Sequence, residues 1–596
     1  MLPLRLRRAH GCRHVLPRAE LELLLVARTL AGPLGGVHGK AMKKNKHLLL
    51  WSSLGVLALL VAGAAEENFL KEWRRLQRSA RNGAGPIDVR LRQIVVPALA
   101  VTDRCVSCHV GMAPGEQELS GPAAVVAAHR DVVHDPASFG CTVCHAGQGR
   151  ATEKKAAHGT KPHWPQPMIP ASFAYAGCGS CHTHLKVPNL EQLRRGASLF
   201  ERYDCLNCHR LDGRGGGLRP EMPGFKEGPD LSRAGARGHR QDWYEHHLDR
   251  AASGDAVWRE AFGPIPEADR QALETLLTCS VGAPGLIEAK SLFHSLGCRG
   301  CHKVGGVGGD DGPDLTRVGE RDPGRLDFSR VPGERTLTNW FAEHFRAPAV
   351  VVPGSLMPWL GLSDEQVHLL TYYMLSLRLS EFPEAFWPKD RILAERFSER
   401  EFRTDGATLY GTFCASCHGR SGQGMRYPGM APFPGVANPD FLALAPDSFL
   451  METIRRGRPG RRMPAWGEKE GGLRPEEISN IVRHLREMGG DVPYREGAGG
   501  PGRWIVSSAD GSGRILYDSH CAGCHGEKGS GGEGPALNNP VLLDTASDRY
   551  LLETVRAGRR GTVMEAFSRP SAVRSTLSVT EIEAIIAYLR SWEEKK

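Results

Sequence analysis

The sequence predicts a mainly α-helical chain with an N-terminal membrane-anchor or signal helix, an irregular middle segment and four small all-α domains. Three observations predict this architecture. An uncharged, mainly apolar run covers residues 48–65. Residues 101–190 carry three Cys-x-x-Cys-His motifs but few apolar runs with a helix or strand period. Residues 191–596 contain a fourfold repeat, in which each unit has a short helical stretch, one such motif and a final amphipathic helix.

Fourteen of the 16 cysteines belong to seven copies of Cys-x-x-Cys-His. Two thiols three positions apart can form thioethers with the two vinyl groups on one edge of a porphyrin, and the following His then binds the iron as proximal ligand. The sequence therefore predicts seven covalently bound haem c groups with their iron. The motifs are Cys105, Cys108 and His109; Cys141, Cys144 and His145; Cys178, Cys181 and His182; Cys205, Cys208 and His209; Cys298, Cys301 and His302; Cys414, Cys417 and His418; and Cys521, Cys524 and His525.

Zinc binding and disulfide bonding are the alternative explanations of these cysteines. A structural zinc site closes with four ligands from two paired elements, so each Cys pair would not need its own adjacent His. A disulfide framework would not repeat one spacing seven times. Two cysteines remain, Cys12 and Cys279, and Cys279 is most simply a buried thiol.

The formal charge of +9 does not indicate nucleic-acid binding. Residues 1–41 hold seven Arg or Lys against two Glu, which leaves +4 for residues 42–596. Each haem adds a net charge of about −1 through its propionates, so that the loaded chain is close to neutral or slightly acidic. No block of Lys and Arg interleaved with aromatic residues is present in the sequence.

The N-terminus predicts export. Lys43, Lys44 and Lys46 precede the apolar run 48–65, which is just long enough to cross a bilayer and has its basic side in the cytoplasm. We interpret residues 1–41 as a mis-annotated leader and residues 42–66 as a signal anchor or signal peptide. Ala62-Gly63-Ala64 resembles a cleavage site, but an uncleaved anchor is favoured because a charged amphipathic stretch follows. Either way the haem-bearing chain lies in the bacterial periplasm.

The pattern gives the following organisation after the anchor. Each repeat places an aromatic residue shortly before its first Cys and ends in an amphipathic helix, and two of these helices begin with the capping boxes Ser363/Gln366 and Ser578/Glu581. The domains are a linker at 67–100, a trihaem module at 101–190, repeats at 191–283, 284–378, 403–489 and 508–596, and breaks at 379–402 and 490–507. The aromatic residues are Phe200, Phe293, Tyr410 and Tyr517, and the final helices are predicted at Glu267–Leu277, Glu365–Leu377, Pro475–Met488 and Glu581–Trp592.

The four repeats resemble class I cytochrome c domains, and the whole chain resembles a multihaem c-type cytochrome. In the class I family a Met on the loop before the last helix is the distal iron ligand. That resemblance implies Met357 and Met463, each followed by Pro, and Met564, which lacks the Pro. The first repeat departs from the pattern, because its corresponding loop has no Met. Its candidate ligands are Met222, His239, His246 and His247, and a five-coordinate iron is the remaining alternative.

The segment 101–190 resembles compact multihaem modules in which each iron has two His ligands. Five His outside the motifs are available for three distal positions. His134 and His158 are the first choices, because each lies between motifs on a loop able to fold back. His129 and His163 follow. His184 is too close to His182 to bind the same iron, although it could bind the iron of a neighbouring haem.

These ligands predict an electron-transfer protein rather than an enzyme. His/Met ligation raises a haem potential relative to His/His ligation. Electrons would therefore run from a membrane quinol-oxidising complex or another redox donor, through the low-potential trihaem module, to the higher-potential repeats. They would leave to a cytochrome or an oxidase. Two alternatives are a haem enzyme that reduces peroxide or a nitrogen oxide at the His209 haem, and a structural role in a respiratory assembly or a polymerised wire.

Overall fold

The computed structural model describes residues 38–116, 118–130, 132–161, 164–216, 228–237, 265–494, 502–505, 511–571 and 574–593. The chain divides into two units, Met1–Arg75 and Leu76–Lys596. The mainly α-helical architecture that the sequence predicts is confirmed, since the strands of the described residues are only two or three residues long.

The first unit is dominated by one long helix, α1 (His38–Ala65), which continues into a π-helical turn at Glu66–Leu70. The stretch Asn45–Arg78 is the part of the described chain long and apolar enough to cross a membrane, with a mean hydropathy of 2.2 over its most apolar window. A signal sequence has the same length and composition. Helix α2 (Glu72–Arg78) begins beyond this turn.

The described residues between α2 and residue 190 form short elements. Two antiparallel hairpins, β1–β2 and β3–β4, are followed by helical turns of three or four residues and one irregular 3-10 segment. The segment's own buried apolar clusters hold only five and four residues, and Ile169, Phe173, Ala176 and Leu185 join the core of the first two repeats instead. This is a small core for the length of the segment and fits a segment completed by prosthetic groups. The bounds are β1 Arg81–Asn82, β2 Gly85–Pro86, β3 Ile94–Val96, β4 Val101–Asp103, and turns at Pro97–Leu99, Cys105–Ser107, Val110–Met112, Ala123–Val126, Pro136–Phe139, Thr142–His145, Lys154–Ala157 and Ala171–Ser180.

In each of the four repeats the helix before the motif packs against the last helix. The pairs are α3 (Leu190–Arg202) with α4 (Glu267–Cys279), α5 (Pro284–Ser295) with α7 (Asp364–Ser376), α9 (Gly406–Phe413) with α12 (Pro475–Met488) and α13 (Gly511–His520) with α16 (Val579–Arg590). These last helices begin within two residues of the predicted positions, and both predicted capping boxes form. The other helices are α6 Leu337–Arg346, α8 Lys389–Phe397, α10 Pro439–Leu444, α11 Asp447–Arg456, α14 Pro540–Thr545 and α15 Asp548–Ala557, and a short hairpin is formed by β5 Arg210–Leu211 and β6 Arg214–Gly215. Four-residue helices lie at Ala234–Arg237, Pro348–Val351, Ala415–His418 and Ala522–His525. The 3-10 turns are Cys205–Asn207, Cys298–Gly300, Val318–Glu320, Pro323–Arg325, Glu384–Phe386 and Glu527–Gly529.

Three of these helix pairs cross at a glycine. A Cβ atom on Gly196 would lie 2.2 Å from the Ala272 carbonyl oxygen, one on Gly406 would lie 2.2 Å from that of Asn480, and one on Gly513 would lie 2.1 Å from that of Ala584. Only a residue without a side chain permits so close an approach of two helix backbones. The glycine therefore fixes the distance between the helix that leads into the motif and the helix that closes the domain.

The third and fourth repeats pack through a pseudo-twofold contact, in which positions 101 residues apart play equivalent roles. The Asn438 side chain donates to the Arg560 carbonyl, and the Asn539 side chain donates to the Pro459 carbonyl, both at 3.0 Å. On the pseudo-axis the equivalent rings of Phe449 and Tyr550 lie 5.0 Å apart. The two repeats thus form an internal pseudo-dimer.

The break predicted at 379–402 is an ordered, packed segment. It contains α8 and contacts the trihaem module, because the Phe386 ring lies 5.9 Å from that of Phe139. Close to its C-terminal end, Glu401 is buried and accepts 2.6 Å hydrogen bonds from Lys290 and Arg299 of the second repeat. Arg400 also donates to Glu477 of the third repeat at 2.7 Å. This segment therefore connects the trihaem module with the second and third repeats.

Candidate functional site

All seven Cys-x-x-Cys-His motifs fold into the same tight turn. In each one the backbone N–H of the His donates to the carbonyl of the first Cys, at 2.9 Å in six motifs and at 3.1 Å for His302. One helical turn of this kind places the two thiols on one side of the backbone with the imidazole beside them, as covalent haem attachment requires. Among the described residues no disulfide forms and no group of three or more His, Cys, Asp or Glu side chains is arranged as a metal site, so neither alternative explanation of the cysteines gains support there.

The two cysteines of a motif differ in their surroundings, although their spacing is the same throughout. In six motifs the first Cys packs against an apolar core of its domain, which holds that thiol in place. The second Cys is held by the turn itself, because its backbone N–H donates to the carbonyl of the first Cys, at 3.0 Å for Cys108 and at 3.2 Å for Cys208 and Cys524. Cys108 and Cys208 are partly exposed, and Cys524 is exposed. The role of these three thiols as haem attachment points stays a prediction from the motif.

A second hydrogen bond orients the motif imidazoles. The Nδ1 atom lies 2.8–2.9 Å from a backbone carbonyl oxygen in five motifs and from a carboxylate in one, which assigns the Nδ1–H tautomer and leaves Nε2 free to bind iron. The five backbone pairs are His109 with Ala124, His209 with Pro229, His302 with Pro313, His418 with Pro434 and His525 with Pro535. The carboxylate is that of Asp390, which accepts from His182.

In the first, second and fourth repeats a Gly-Pro pair lies on the loop after the motif, and the contact with the imidazole explains its glycine. A Cβ atom on Gly228, Gly312 or Gly534 would lie 2.5, 2.4 or 2.9 Å from the ring of the motif His in the same repeat. The glycine lets the loop backbone pass beside the imidazole, and the following Pro carbonyl accepts its hydrogen bond. The loop motif Gly-Pro thus has a defined role in placing the proximal ligand.

In the second motif a buried carboxylate positions the turn. Asp103, at the end of β4, accepts from the backbone N–H groups of Cys141 and Thr142 at 2.6 and 2.8 Å. A carboxylate in this position satisfies the free N–H groups at the start of a helical turn. It ties the motif to the β3–β4 hairpin.

The trihaem segment brings each motif imidazole opposite one further imidazole. The ring centroids of His109 and His158 are 6.4 Å apart, and those of the other two pairs are 6.2 Å apart. Two imidazoles that bind one iron from opposite sides, each through a nitrogen about 2 Å from the metal, have centroids about 6 Å apart. The gap in each pair therefore fits one iron. The other two pairs are His145 with His129 and His182 with His134.

Two of the five candidate histidines of the trihaem segment, His184 and His163, are not part of the opposed pairs that the structure describes. His184 is hydrogen-bonded to the Thr183 hydroxyl at 2.8 Å and is not among the opposed pairs. His163 lies outside the described residues. Burial lowers the pKa of His145, and the positive charges of His129 and His109 lower it further. Burial also lowers the pKa of His134, with smaller contributions from the positive charges of His182 and Arg233. Both imidazoles are thus held in the neutral form, which is the form that binds a metal.

The predicted Met ligands lie on the loops before the last helices. Met357 is partly buried against the core of the second repeat, and Met463 and Met564 are partly buried against the core of the third and fourth. Met463 and Met564 occupy equivalent hairpin turns, because the carbonyl of each accepts from the backbone N–H of an Arg five residues earlier, at 2.8 and 2.6 Å.

The candidates of the first repeat, Met222, His239, His246 and His247, lie outside the described residues, as does Cys12. Cys279 is partly buried at the end of α4, and burial raises the pKa of its thiol to about 11.

Two residues near the motifs were not predicted from the sequence. Asp390 contacts His182 from 208 positions away, which no local pattern indicates. His344 stacks on Trp340 with ring centroids 4.9 Å apart, and burial together with the positive charge of His302 lowers its pKa to about 4. Its four-residue spacing from Trp340 on helix α6 was the available signal.

Three pairs of successive motifs contact each other in the described part of the chain. The thiols of Cys105 and Cys141 share a hydrogen bond, as do those of Cys301 and Cys417, which lowers the pKa of Cys105 and Cys417 and raises the pKa of their partners. A Cβ atom on Gly300 would lie only 2.4 Å from the Ser416 Oγ atom, so the second and third repeats meet at their motifs. The second motif also contacts the residue that precedes the third motif, since a Cβ atom on Gly177 would lie 1.8 Å from the Cys144 carbonyl oxygen.

The repeated motif turn, the oriented imidazoles and the helix pairs are those of a multihaem c-type cytochrome. Comparison with known families agrees. Residues 402–485 and 508–589 each match the family "Cytochrome C oxidase, cbb3-type, subunit III", and residues 287–378 match the family "Cytochrome c".

Similar curated proteins are subunits of terminal oxidases. The chain is 30% identical over 199 residues to the cbb3-type cytochrome c oxidase subunit FixP of Bradyrhizobium diazoefficiens, a match that covers 32% of this chain and 60% of the relative. It is 30% identical over 182 residues to the subunit CcoP of Azospirillum sp., which covers 28% and 55%. The chain thus spans less than two thirds of the length of these relatives. No solved structure matches the chain.

Proposed function

We propose that the chain is an electron relay that holds seven haem c groups and passes electrons from a membrane-side donor to a periplasmic acceptor. The observation that carries this proposal is the direct contact of motif with motif: Cys105 with Cys141, Gly177 with Cys144, and Cys301 with Cys417. Thioether cysteines lie at the porphyrin edge, so touching cysteines imply haem edges close enough for rapid electron exchange. A set of independent carriers would not need this packing.

We assign two classes of axial ligands. In the trihaem module, His158, His129 and His134 serve as distal ligands of the haems whose proximal ligands are His109, His145 and His182, which the 6.2–6.4 Å ring separations support. In the second, third and fourth repeats, Met357, Met463 and Met564 serve as distal ligands.

This assignment gives the relay a direction. Bound haem supplies a one-electron centre whose potential rises when a thioether replaces an imidazole as axial ligand. The trihaem module is then the low-potential entrance, and the repeats are the high-potential exit. Electrons run from the module to the second repeat, and the Cys301/Cys417 contact leads on to the third.

We propose a membrane quinol-oxidising complex as donor and a cytochrome or an oxidase as acceptor. The relatives named as subunits of cbb3-type oxidases support the oxidase. The matches to the family of cbb3-type subunit III fall on the third and fourth repeats, the exit end of the relay. Helix α1 would anchor the chain to the inner membrane with its haems in the periplasm.

A spectro-electrochemical titration of the purified chain with haem counting tests this proposal. We expect seven haems, about three of which titrate at low potential with His/His spectra and the rest higher. The same low-potential group should appear in a variant that lacks all three Met ligands. A single transition at one potential would contradict the gradient. High-spin signals with CO binding at one of the haems would favour the alternative of a haem enzyme at His209.

A further inference from the structure

The imidazole of the third motif has a different kind of hydrogen-bond partner from the other motif imidazoles whose Nδ1 contact the structure describes. Asp390 accepts a 2.9 Å hydrogen bond from the Nδ1 atom of His182, whereas the comparable partners elsewhere are backbone carbonyls. We propose that Asp390 lowers the reduction potential of the haem held by Cys178, Cys181 and His182, which makes it the last of the three trihaem centres to accept an electron. This inference rests on the His182/His134 ligation proposed above.

The physical basis is the charge of the acceptor. A carboxylate draws the Nδ1 proton more strongly than a neutral carbonyl does, which places more electron density on the imidazole. A more basic imidazole stabilises ferric iron over ferrous iron, so uptake of one electron becomes less favourable. Asp390 thus acts through His182, as a positioning and tuning residue.

The segment 379–402 delivers this carboxylate and is fastened on both sides of the motif. The backbone N–H of Ser380 donates to the Ser180 carbonyl inside the motif at 3.2 Å. The backbone N–H of Val187, five residues after the motif, donates to the Glu401 carbonyl at 2.8 Å. With both ends fixed, the position of Asp390 on the first turn of α8 is set relative to His182.

The neighbouring Arg391 does not compete with the His182 imidazole for the Asp390 carboxylate. The adjacent Arg391 donates instead to the Ser380 carbonyl and lies over the Trp387 ring at 4.2 Å. The second carboxylate oxygen of Asp390 is buried and makes no hydrogen bond. His182 and Asp390 are only 27% and 18% exposed, so solvent screens their interaction weakly.

Potentiometric titration of Asp390→Asn holoprotein tests the inference. We expect the equilibrium constant for reduction of the lowest-potential haem to rise about tenfold. This raises its reduction potential by about 59 mV, since one electron is transferred. The low-spin ferric EPR signal of the same haem should change with it, since the ligand field of its imidazole changes. Asp390→Glu keeps the carboxylate, so its potential should rise less than that of Asp390→Asn.

Glu395→Gln is the matched control, because Glu395 is an exposed carboxylate on the same helix α8. It removes the same charge without removing the hydrogen bond, and we expect little shift. Equal shifts in the two variants, or no shift in Asp390→Asn, would overturn the inference. Asp390→Ser is measured in parallel, so that a folding defect of one variant does not decide the result.

The wild-type spectrum separates this inference from the proposed function. A high-spin or His/Met haem in the trihaem module would contradict the proposed ligation itself. Three low-spin His/His signals, with potentials that Asp390→Asn leaves unchanged, would contradict only the role of Asp390.

Discussion

At the scale of single residues, the backbone around each motif prepares the imidazole before any iron is bound. The motif turn sets the position of the His in all seven motifs, and in six of them the acceptor at Nδ1 sets its tautomer and its orientation. The protein therefore controls each haem mainly through two choices, which are the acceptor at Nδ1 and the residue opposite Nε2. Both choices can be tested by single substitutions.

Replacement of Met463 by His should lower the potential of one high-potential haem. Axial ligand identity spreads haem potentials over about 0.8 V, so we expect a change on the order of 0.1 V. Redox titration of the variant measures it. Met451→Leu is the control, because Met451 is also partly buried against the same core but lies on α11. An unchanged potential in Met463→His would remove Met463 from the ligand set.

Replacement of His158 by Ala should open one coordination position in the trihaem module. Loss of the imidazole opposite His109 leaves an iron with one protein ligand, which then becomes high-spin and binds CO. Optical spectra with and without CO measure the fraction of haem affected, which should be about one of the seven proposed haems. His184→Ala is the control and should stay low-spin, because His184 is not among the opposed ring pairs. CO binding by both variants would contradict the pairing.

At the scale of elements, each repeat depends on the crossing of its first and last helices. In the third repeat this crossing occurs at Gly406, where a side chain would collide with the Asn480 carbonyl. Because the helix that crosses there also leads into the motif, a change in the crossing distance displaces the motif as well.

Gly406→Ala should destabilise the third repeat by about 1–3 kcal/mol, since added atoms at a close contact force the two helices apart. Gly411→Ala is the matched control on the same helix α9, where a Cβ atom meets nothing within 4 Å. It should be neutral, or should stabilise the helix by up to about 1 kcal/mol. Denaturant unfolding followed by haem absorbance compares the two. Equal destabilisation would contradict the role of the crossing.

The helices and motifs could be predicted from the sequence because their causes are local. The terminal helices follow from a 3.6-residue period, and the capping boxes at Ser363 and Ser578 follow from residues three positions apart. The ordered structure of the 379–402 segment has a different cause. Its packing depends on contacts such as Phe386 with Phe139, almost 250 residues apart, which no local pattern encodes.

The candidate site divides in the same way. The seven motif histidines can be read from the sequence, and their role as proximal ligands stays a prediction. The opposition of His129 to His145 depends instead on the path of the irregular segment between them. For Met357, Met463 and Met564 the family resemblance supplied the position, and they remain predictions. The contact of Asp390 with His182 joins two domains, so only the folded chain reveals it.

At the scale of the whole molecule, buried charge joins the second repeat to the 379–402 segment. Burial disfavours the ionised form of Glu401, but the positive charges of Lys290 and Arg299 outweigh this effect and hold its pKa well below the usual range. Ionised Glu401 therefore stabilises the fold above the unfolded-state pKa of about 4.3, and this contribution is lost only as the pH falls toward the lower folded-state pKa.

Glu401→Gln should destabilise the chain by about 3–5 kcal/mol at pH 7, because it leaves Lys290 and Arg299 buried without a counter-charge. The difference from wild type should narrow below about pH 4, where the wild-type carboxylate begins to lose its advantage. Denaturant unfolding at several pH values measures both effects. Glu399→Gln removes an exposed ion pair with Lys186 and should cost at most about 1 kcal/mol. A constant difference across the pH range would contradict the role of Glu401.

The pseudo-twofold contact of the third and fourth repeats gives a prediction for the exit end of the relay. Asp440, on α10, accepts from both the backbone N–H and the guanidinium of Arg560 in the other repeat. Charge reversal in Asp440→Lys or Arg560→Glu should therefore loosen the contact and raise hydrogen exchange in α10 and α14 several-fold. The double variant restores opposite charges and should recover part of the protection, because the Asn438 and Asn539 bonds and the Phe449–Tyr550 stack still set the register. If the two single effects simply add in the double variant, the two side chains are uncoupled and the repeats are held together without this ion pair.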